Sequence, residues 1–486
     1  MPHFKGCCTT GVQKVLSITV NWLYFFASET NLITDLLNSF PEYSDFADAG
    51  IDEINQFYFF AQIPSIERSN LAAVIPLKDQ DLFKKFIENR FKTTIENQNS
   101  YDYVTINGKY VITWNKKMAL FYYADNLNLN IVSDAIKIID KDIVNISSKG
   151  DLYNKFNDSE DHILIWVNNI NNSILKDKLE ELNLPKDEVH SFTSINFNSG
   201  KIDIQSNSYY TDENTILKNI LHNDKSIDSL IKSSGNEEPL VVASMALNLN
   251  GIIDFLNTNE ELYNNLQANV PFVNIKDFIN MFSGDFLLTF NDVEEEVVQF
   301  YDEKIINGVL EVVPDEKVLK TPYITYAIGL NDSKKLIEML QPFLGMIPYE
   351  FTKKSKEAIV FETDEEYHVS LQNNILFLGT SSKARKLIRN MNGTLSKNFK
   401  NKISQYPFYF YANIEGLAQT LKDKENGELM DLISATFSKF ELQEYTVEKN
   451  ETKATLSLEF KSEENSLLQL IKFYNVFSKL NTNQIL

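Results

Sequence analysis

The side chains in this sequence that could do chemistry are a few serines, two cysteines and five histidines, and none has the spacing of a catalytic motif. Ser283–Asp285 and Gly379–Ser381 partly match the hydrolase elbow, in which glycines flank a nucleophilic serine, but a turn at a strand end accounts for both. Cys7 and Cys8 lie near the start of the chain, whereas a catalytic thiol needs an ordered histidine partner. No glycine-rich loop suited to phosphate is present. The sequence therefore nominates no catalytic residue and no cofactor-binding residue.

The groups that could bind a metal ion are also scattered. The acidic runs Asp292–Glu296 and Asp364–Glu366 lack the alternating carboxylates and the central glycine of a calcium loop, so we interpret them as solvated turns. Two cysteines are too few for a cysteine zinc site. No two histidines have ligand spacing on one helix or strand; they are His3, His162, His190, His222 and His368. The sequence nominates no metal ligand.

The composition indicates a globular chain that does not bind nucleic acid. Of the 486 residues, 43% are hydrophobic and 12% are aromatic, which is enough for a large core. The formal charge is -21, and such a charge repels phosphates and anionic lipid surfaces. Lys84–Lys85 and Lys116–Lys117 are pairs beside acids and form no basic stripe. We expect no nucleic-acid partner.

The N-terminal region has two interpretations. Val15–Phe26 is apolar and follows two lysines, as in a signal peptide, but it is too short to span a bilayer and Asn21 interrupts it. We favour the interpretation as mature structure, because the same strand-Asn-helix pattern recurs later in the chain. Cys7 and Cys8 are adjacent and cannot form a bridge without strain, so no disulfide is predicted.

The main organising feature is a set of strand and helix signals that recurs in the same order in two halves of the chain. Each single match is weak, and the unbroken order carries the inference. The matched segments are Ser17–Asn21 with Ser244–Asn248, Phe57–Phe60 with Phe286–Leu288, Ile75–Asp79 with Ile328–Asp332, Val111–Tyr123 with His368–Leu378, Ile163–Asn168 with Phe408–Asn413, and Lys201–Ile204 with Thr455–Leu458.

Several local structures follow from these matches. Asp79 and Asp332 are predicted N-caps, because their side chains can accept from the first free N–H groups of a helix. Two apolar runs around a short polar tip predict a hairpin in each half. The predicted tips are Asn115–Lys117 and Gln372–Asn374, and the helices predicted to follow them are Ile131–Ile139 and Lys383–Ile388.

We therefore predict an α+β protein with two tandem, similar halves, each mainly an antiparallel sheet layered with helices. The halves are residues 1–234 and 235–486, and the boundary lies in the polar stretch Ser233–Pro239. Alternating strands such as Tyr101–Ile106 predict that each sheet buries one face under helices and leaves the other face wet.

The second half also carries an acidic insertion near residues 291–321. We predict that it forms a long hairpin or excursion between two strands. Gly308 and Pro314 are expected to mark turns inside it.

Three of these features together resemble a family of Bacteroidetes envelope lipoproteins catalogued as domain of unknown function 4836. They are the opening strand-Asn-helix pattern, Ala49–Asp52 before an aromatic strand, and Ile75–Asp79 leading into Phe83–Phe86. The resemblance implies an exported, lipid-anchored protein that faces the periplasm or the cell surface. A lipid anchor needs small residues before its cysteine, whereas Phe4–Gly6 precedes Cys7, so we expect membrane association only through an anchor that this chain lacks.

Because of the resemblance, and because no catalytic or cofactor-binding motif is present, we expect a non-enzymatic cell-envelope protein without a cofactor. We expect it to bind or scaffold a protein, glycan or lipid partner. Two alternatives stay open. One is a carrier of an apolar ligand in a sheet-helix cavity, lined by residues such as Trp114, Phe121, Tyr123 and Trp166. The other is a hydrolase whose site is assembled from distant carboxylates or histidines.

Overall fold

In a computed structural model of the chain, the residues fall into two compact units. The first unit contains residues 1–197, 203–213 and 448–453, and the second contains residues 198–202, 214–447 and 454–486. The residues that the structure describes are 4–9, 49–52, 57–65, 68–98, 100–106, 108–124, 130–140, 161, 163–168, 189–210, 228–269, 273–306, 309–342, 351–354, 359–362, 367–423, 426–448 and 451–484.

The first unit has mainly antiparallel strands, with helices on both faces of the layer that they form. Its strands occur in the spatial order β4-β5-β6-β7-β3-β2-β1-β8-β9-β10. The elements lying wholly or mostly in this unit are β1 (Phe4–Thr9), β2 (Phe57–Ser65), β3 (Arg68–Pro76), α1 (Gln80–Phe91), β4 (Glu96–Gln98), β5 (Tyr101–Ile106), β6 (Tyr110–Trp114), β7 (Met118–Ala124), α2 (Ile131–Asp140), β8 (Ile163–Asn168), β9 (Val189–Asn198) and β10 (Lys201–Tyr210).

Within the second unit the strands are mainly antiparallel and occur in the order β14-β15-β16-β17-β13-β12-β11-β18-β19-β20. Its elements are a 3-10 helix (Asp228–Ser233), β11 (Val241–Ala246), α3 (Leu249–Thr258), α4 (Glu260–Asn269), α5 (Ile275–Ile279), β12 (Phe282–Ile306), β13 (Val309–Leu330), α6 (Ser333–Leu340), β14 (Phe351–Lys354), β15 (Ile359–Glu362), β16 (Tyr367–Gln372), β17 (Ile375–Thr380), α7 (Ser381–Asn390), α8 (Lys397–Gln405), β18 (Phe408–Asn413), α9 (Ile414–Leu421), α10 (Gly427–Thr436), β19 (Phe437–Glu448), β20 (Glu451–Phe460) and α11 (Ser466–Gln484).

The α+β fold class is therefore as predicted, and both units have the same strand order, position by position. The central position differs between them. In the second unit β11 is antiparallel to both neighbours, whereas in the first unit β1 is parallel to both neighbours. The strand predicted at Ser17–Asn21 lies outside the described residues. The tandem duplication and its boundary at 234/235 stay predictions.

The expectation of one wet sheet face is wrong for the first unit, because a helix packs on each face. Under α1, Phe83 contacts a buried cluster that includes Ile112, Trp114 and Phe121. Under α2, a second cluster contains Val111, Leu120 and Tyr122. Consequently Val111–Trp114 of β6 is buried on both sides of the sheet.

In the second unit the main core lies between the sheet and three helices. The 3-10 helix, α7 and α8 cover one face, where Phe377 and Tyr409 are among the most deeply buried side chains. A smaller core under α6 contains Leu336, Ile337 and Leu371. Residues 228–233 therefore pack with this unit, since Leu230 belongs to its main core.

Asp and Asn side chains begin several of the helices. The N-cap predictions at Asp79 and Asp332 are confirmed: Asp79 Oδ1 accepts from the backbone N–H groups of Asp81 and Leu82, and Asp332 Oδ1 accepts from Lys335 N at 3.0 Å. Further caps of this kind are Asn248 on α3, Asn413 on α9 and Asn465 on α11. Because each cap directly follows or closely follows a strand, it sets the point where the chain turns back over the sheet.

The two hairpins and the helices after them are also confirmed. The β6-β7 strands pair in antiparallel register around the predicted tip, and the β16-β17 strands pair around Asn373–Asn374. Gln372, which was predicted to lie in the second tip, is instead the last residue of β16. Asn373 and Asn374 both have left-handed backbone conformations, with φ values of 54° and 57°, as a two-residue hairpin turn requires. The helices that follow the hairpins are α2 and α7.

The core of the first unit supports a direct stability test. Phe83 is fully buried, and its ring lies 5.5 Å from Trp114 and 6.4 Å from Phe121. We expect Phe83→Ala to lower the free energy of unfolding by about 3–5 kcal/mol, through lost burial and an unfilled cavity. Leu82→Ala, on the 39% exposed side chain next to it, is the control, and it should cost under about 1 kcal/mol. Urea denaturation followed by tryptophan fluorescence measures both, and equal losses would contradict this packing.

Candidate functional site

The insertion near 291–321 forms the outer part of a long antiparallel hairpin made by β12 and β13, as predicted. The inner part of the hairpin belongs to the sheet: β11 pairs with β12 as far as Phe290, and β17 pairs with β13 as far as Thr325. Beyond these points Asp292–Ile306 and Val309–Tyr323, which we call the ribbon, pair only with each other among the described residues. At about 3.4 Å per residue the ribbon is roughly 50 Å long.

Pro314 does not mark a turn, contrary to expectation. It lies within β13 opposite Tyr301, on an edge where a missing N–H is tolerated. The other predicted turn residue, Gly308, lies outside the described residues.

A β-bulge and a buried amide hold the root of the ribbon. The register shifts between Phe290 and Asp292, so Asn291 has no partner residue in the ladder. Its buried side chain donates to Thr289 Oγ1 at 3.0 Å and to the Tyr323 carbonyl at 3.3 Å. Its Oδ1 accepts from Asn236 N at 3.0 Å. The bulge therefore has a fixed geometry, because both the NH2 group and the oxygen of the Asn291 side chain are hydrogen-bonded.

A second set of contacts joins the ribbon to the start of α7. The Glu294 carboxylate accepts from Ser382 N at 2.7 Å and from Ser382 Oγ at 3.1 Å. The Lys383 ammonium lies 3.3 Å from Asp292 Oδ2. A carboxylate at a helix N-terminus is stabilised by the unpaired N–H groups there and by the helix dipole. Glu294 thus takes the capping position that the Thr380 side chain leaves unused.

The Thr380 hydroxyl instead bonds to β13. It donates to the Pro322 carbonyl and accepts from Ile324 N at 3.0 Å. The next residue, Ser381, has a left-handed backbone with φ of 78°, which turns the chain from β17 into α7. Both strands of the ribbon are therefore bonded to the same strand-to-helix turn.

Tyr323 packs in the middle of this root. Its side chain is buried, and burial, followed by the charge of Glu294, raises its pKa to about 12. The Lys383 ammonium lies 5.9 Å from the ring centroid. The phenol is therefore neutral at physiological pH, and its side chain packs between the ribbon and α7.

One side of the ribbon, which we call the ribbon face, carries alternating apolar and polar rungs. It continues the sheet face that carries Ile324, because β13 alternates without a break from Ile324 to Pro322 and outward. Its polar rungs are bonded across the strands: Glu295 to Lys320 at 3.2 Å and Gln299 to Glu316 at 3.4 Å. Its first five rungs, counted from the root, are Val293/Pro322, Glu295/Lys320, Val297/Val318, Gln299/Glu316 and Tyr301/Pro314.

The apolar rungs of the ribbon face are open to solvent. Val297 is 60% exposed, Val318 49% and Tyr301 77%. On the opposite side Phe300 and Leu319 are also exposed. A two-stranded ribbon that is wet on both faces has marginal stability in water, and neighbouring exposed apolar side chains are typical of interaction surfaces. The ribbon is therefore the part of the described structure best suited to contact a partner.

A family model described as Domain of unknown function (DUF4836) matches residues 43–305. This match covers more than half of the 486 residues. The chain belongs to this family. No curated protein and no solved structure matches the chain. The lipoprotein character implied by the earlier resemblance stays a prediction.

The DUF4836 match ends at residue 305, one residue before the end of β12. The matched region thus contains β12 except for Ile306, and none of β13. It also contains two of the three features quoted for the resemblance, Ala49–Asp52 and Ile75–Asp79, and the structure brings them together: the Gly50 carbonyl accepts from Lys78 N at 2.9 Å and from Asp79 N at 3.1 Å. A side chain at Gly50 would collide with the Asp79 carbonyl, so this contact requires glycine.

The structure gives structural roles to the side chains first considered for catalysis. The Ser283 hydroxyl donates to Asp285 Oδ2 at 2.7 Å beside Gly284, whose left-handed backbone passes close to the Leu247 carbonyl. Thr380 and Ser381 form the turn into α7. His368 is buried, not at the surface, and a ring nitrogen lies 3.0 Å from the Ser381 carbonyl.

The remaining candidates are spread over the chain. Cys7 and Cys8 lie in β1, which is paired on both sides. Asp364–Glu366 lies outside the described residues, as do the side chains of the other histidines. Within the described part of the chain, no group of three or more His, Cys, Asp and Glu side chains is placed to hold a metal ion. No helix in that part is long and apolar enough to cross a membrane.

The residues expected to line an apolar cavity are instead packed. Trp114 and Phe121 belong to the core under α1, and the Tyr123 ring packs against Tyr110 with centroids 4.9 Å apart and planes tilted by 35°. The Trp166 side chain lies outside the described residues. A cavity of about 210 Å³ occurs elsewhere, in the second unit, open to solvent and lined by Leu249, Ile252, Phe278, Ile279, Phe282, Phe286 and Ile328.

Sequence reasoning located the ribbon but did not identify it as a site. It treated Asp292–Glu296 as solvated turns, whereas these residues lie in a strand, and two of them anchor the root. The signal that could have identified the site is the alternation of Val293, Val297 and Tyr301 with polar residues. This alternation makes the strand longer than the other strands of the sheet.

The root network can be tested by removing its central amide. Asn291→Ala leaves the Asn236 N–H without its acceptor and removes the amide's hydrogen bonds to the Thr289 hydroxyl and the Tyr323 carbonyl, so we expect the free energy of unfolding to fall by about 2 kcal/mol. Gln299→Ala, on the same strand but exposed, should change it by less than about 0.5 kcal/mol. Denaturant titration of the two variants, compared with the unmodified protein, gives both values. A loss from Asn291→Ala no larger than that from Gln299→Ala would show that the bulge does not depend on this amide.

Proposed function

We propose that this protein is a non-enzymatic binding protein that docks a partner protein on its ribbon. The single observation that supports this most is the pair of exposed apolar rungs, Val297/Val318 and Tyr301/Pro314, on a ribbon that no other described strand covers. Covering these side chains would stabilise both the ribbon and the complex, because apolar surface would leave water. The anchored root supports the same proposal, since a pre-set ribbon loses little freedom on binding.

A protein fits this surface better than the other partners considered. The ribbon carries a run of acids, Glu294–Glu296, and the whole chain has a charge of -21, which disfavours nucleic acid and anionic lipid. A glycan site typically stacks sugars on several aromatic faces in a concave surface, whereas Tyr301 stands alone on an open strand. We retain a cell-envelope location, on the family resemblance, as part of the proposal.

Site-specific photocrosslinking tests the proposal. With benzoylphenylalanine in place of Tyr301, in cells of the source organism, we expect one discrete crosslinked protein product. The matched control places the same photoreactive residue at Tyr367, which is 62% exposed on β16 and lies off the ribbon. The product should disappear when Val297→Asp and Val318→Asp are added, because they make the ribbon face polar. No product at Tyr301, or the same products from both positions, would contradict docking on the ribbon.

A second candidate function is the carrying of an apolar ligand, and the cavity between α3, α5, β12 and β13 favours it. All seven lining side chains are apolar. Its volume of about 210 Å³ is smaller than the roughly 300–1,000 Å³ typical of ligand pockets, which is why we rank this function second.

The carrier function predicts binding of a small uncharged fluorophore such as N-phenylnaphthylamine. Its emission should rise on addition of the protein and return to baseline with Ile252→Trp, since the larger side chain fills the cavity. Leu266→Trp, on the exposed side of α4, is the control and should leave the emission unchanged. If neither variant changes the emission, the dye is bound elsewhere and the cavity is not a carrier site.

A further inference from the structure

The ribbon has two outer edges, and they differ in their capacity to accept another strand. On β13 the ten residues 314–323 include two prolines and two lysines, which are common devices for blocking an edge. On β12 the ten residues 292–301 include neither proline, glycine nor lysine, and half of them are valine or aromatic. The β12 edge therefore has the composition of a strand that can be extended.

The positions of the prolines also show which backbone groups point outward. A proline in a paired strand lies where the partner strand does not need its missing N–H. Pro314 and Pro322 both lie on rungs of the ribbon face. In an antiparallel pair, rungs alternate between inward and outward backbone groups, so all rungs of this face direct their N–H and carbonyl groups to the outer edges.

The two edges consequently present different hydrogen-bonding groups. Along β12, Glu295, Val297, Gln299 and Tyr301 each offer an N–H and a carbonyl, whereas the Val293 N–H donates to Asp292 Oδ1 at 2.8 Å. Along β13 two donors are missing, at Pro314 and Pro322, and the Glu316 N–H donates to Asp315 Oδ1 at 2.9 Å. An added strand would find an unbroken ladder on β12 from Glu295 to Tyr301 and an interrupted one on β13.

The charges on the β12 edge indicate the chemistry of that strand. Asp292 and Glu295 are paired with Lys383 and Lys320, whereas Glu296 is exposed and has no ion-pair partner among the described residues. Four of the residues in 292–301 are acidic and none is basic. A second copy of this chain would bring the same acidic edge and be repelled, whereas lysine or arginine would be attracted.

We propose that the partner contributes an extended segment of alternating basic and apolar residues that adds as a strand to the β12 edge at residues 292–301. This inference rests on the proposed function and specifies how the partner binds, namely by strand addition. Main-chain hydrogen bonds to the outward groups of β12 would supply affinity, apolar side chains of the segment would cover Val297 and Tyr301, and its basic side chains would approach Glu296.

A peptide of ten residues that alternates lysine and valine is the probe. We expect it to bind the full-length protein, to slow amide hydrogen exchange at residues 293–301, and to bind more weakly as salt is raised. A peptide that alternates glutamate and valine should not bind. Equal binding of the two peptides, or no binding of either, would overturn the inference.

Two proline variants at one rung test the edge itself. Val297→Pro removes an outward N–H from β12, and Val318→Pro removes the corresponding N–H from β13, while both take an exposed valine from the same rung. Both should leave the ribbon paired, as Pro314 and Pro322 do. We expect only Val297→Pro to weaken peptide binding, by about tenfold, which is the loss of one hydrogen bond. Equal effects from the two variants would show that the β12 edge is not the site.

Two charge-reversal variants test the proposal without changing any backbone hydrogen bond. Glu296→Lys should weaken the basic peptide about tenfold or more, since an attraction becomes a repulsion. Glu338→Lys, exposed on α6, is the matched control and should have little effect. If crosslinking at Tyr301 succeeds while the peptide fails these tests, the docking function stands and the strand-addition mode is wrong; if crosslinking also fails, both are wrong.

Discussion

The structure of each unit depends on removing the apolar faces of an antiparallel sheet from water. Strand residues alternate between two faces, so each face becomes a continuous apolar surface that needs a cover. The covers are helices that return from strand ends, and short polar side chains such as Asp79 and Asn248 begin them. In the first unit helices cover both faces, and Val111–Trp114 is buried throughout as a result.

The helices that pack on the sheet do not extend along the ribbon. As far as Phe290 and Thr325, the strands β12 and β13 have neighbours on both sides. Beyond them the same alternation of apolar and polar residues continues, but among the described residues no further strand pairs with the ribbon, and α7 contacts it only at its root. Apolar rungs that would form core elsewhere are therefore exposed, and this contrast, more than any single residue, is the basis of the proposal that the ribbon binds a partner.

The polar root explains how an exposed ribbon can still have a defined direction. Asn291 fixes the bulge, and Glu294 and Thr380 join the two strands to the turn that begins α7. These groups occupy places where the backbone would otherwise have unpaired donors, namely a bulge and a helix N-terminus. Their bonds resist bending at the root, and this rigidity lowers the entropy that a partner must overcome.

The acidic charge of the chain and the small cavity have different consequences for function. A charge of -21 acts at long range and favours a basic partner over an acidic one, but it does not specify where a partner would bind. In our proposal the β12 edge specifies the place, because hydrogen-bonding groups are local and directional. The cavity offers burial without any polar group to orient a ligand, which provides little specificity.

Much of the fold was readable from local sequence, because the determining interactions are local. Alternation identified the strands, polar tips identified the two hairpins, and Asp79 and Asp332 were recognised as caps since capping involves residues three positions apart at most. The segment at 291–321 was recognised as a hairpin for the same reason. The parallel placement of Phe4–Thr9 was not predicted, because no local pattern encodes the partners of a central strand.

The site required tertiary structure. Only the positions of β11, β17 and α7 decide where the paired sheet ends and the ribbon begins, and these elements are distant in sequence from β12 and β13. The bonds of Glu294 to Ser382 and of Asn291 to Asn236 likewise join residues far apart in the chain. The sequence by itself determined which residues alternate and which are charged, whereas exposure depends on what packs against them, and that is a property of the folded chain as a whole.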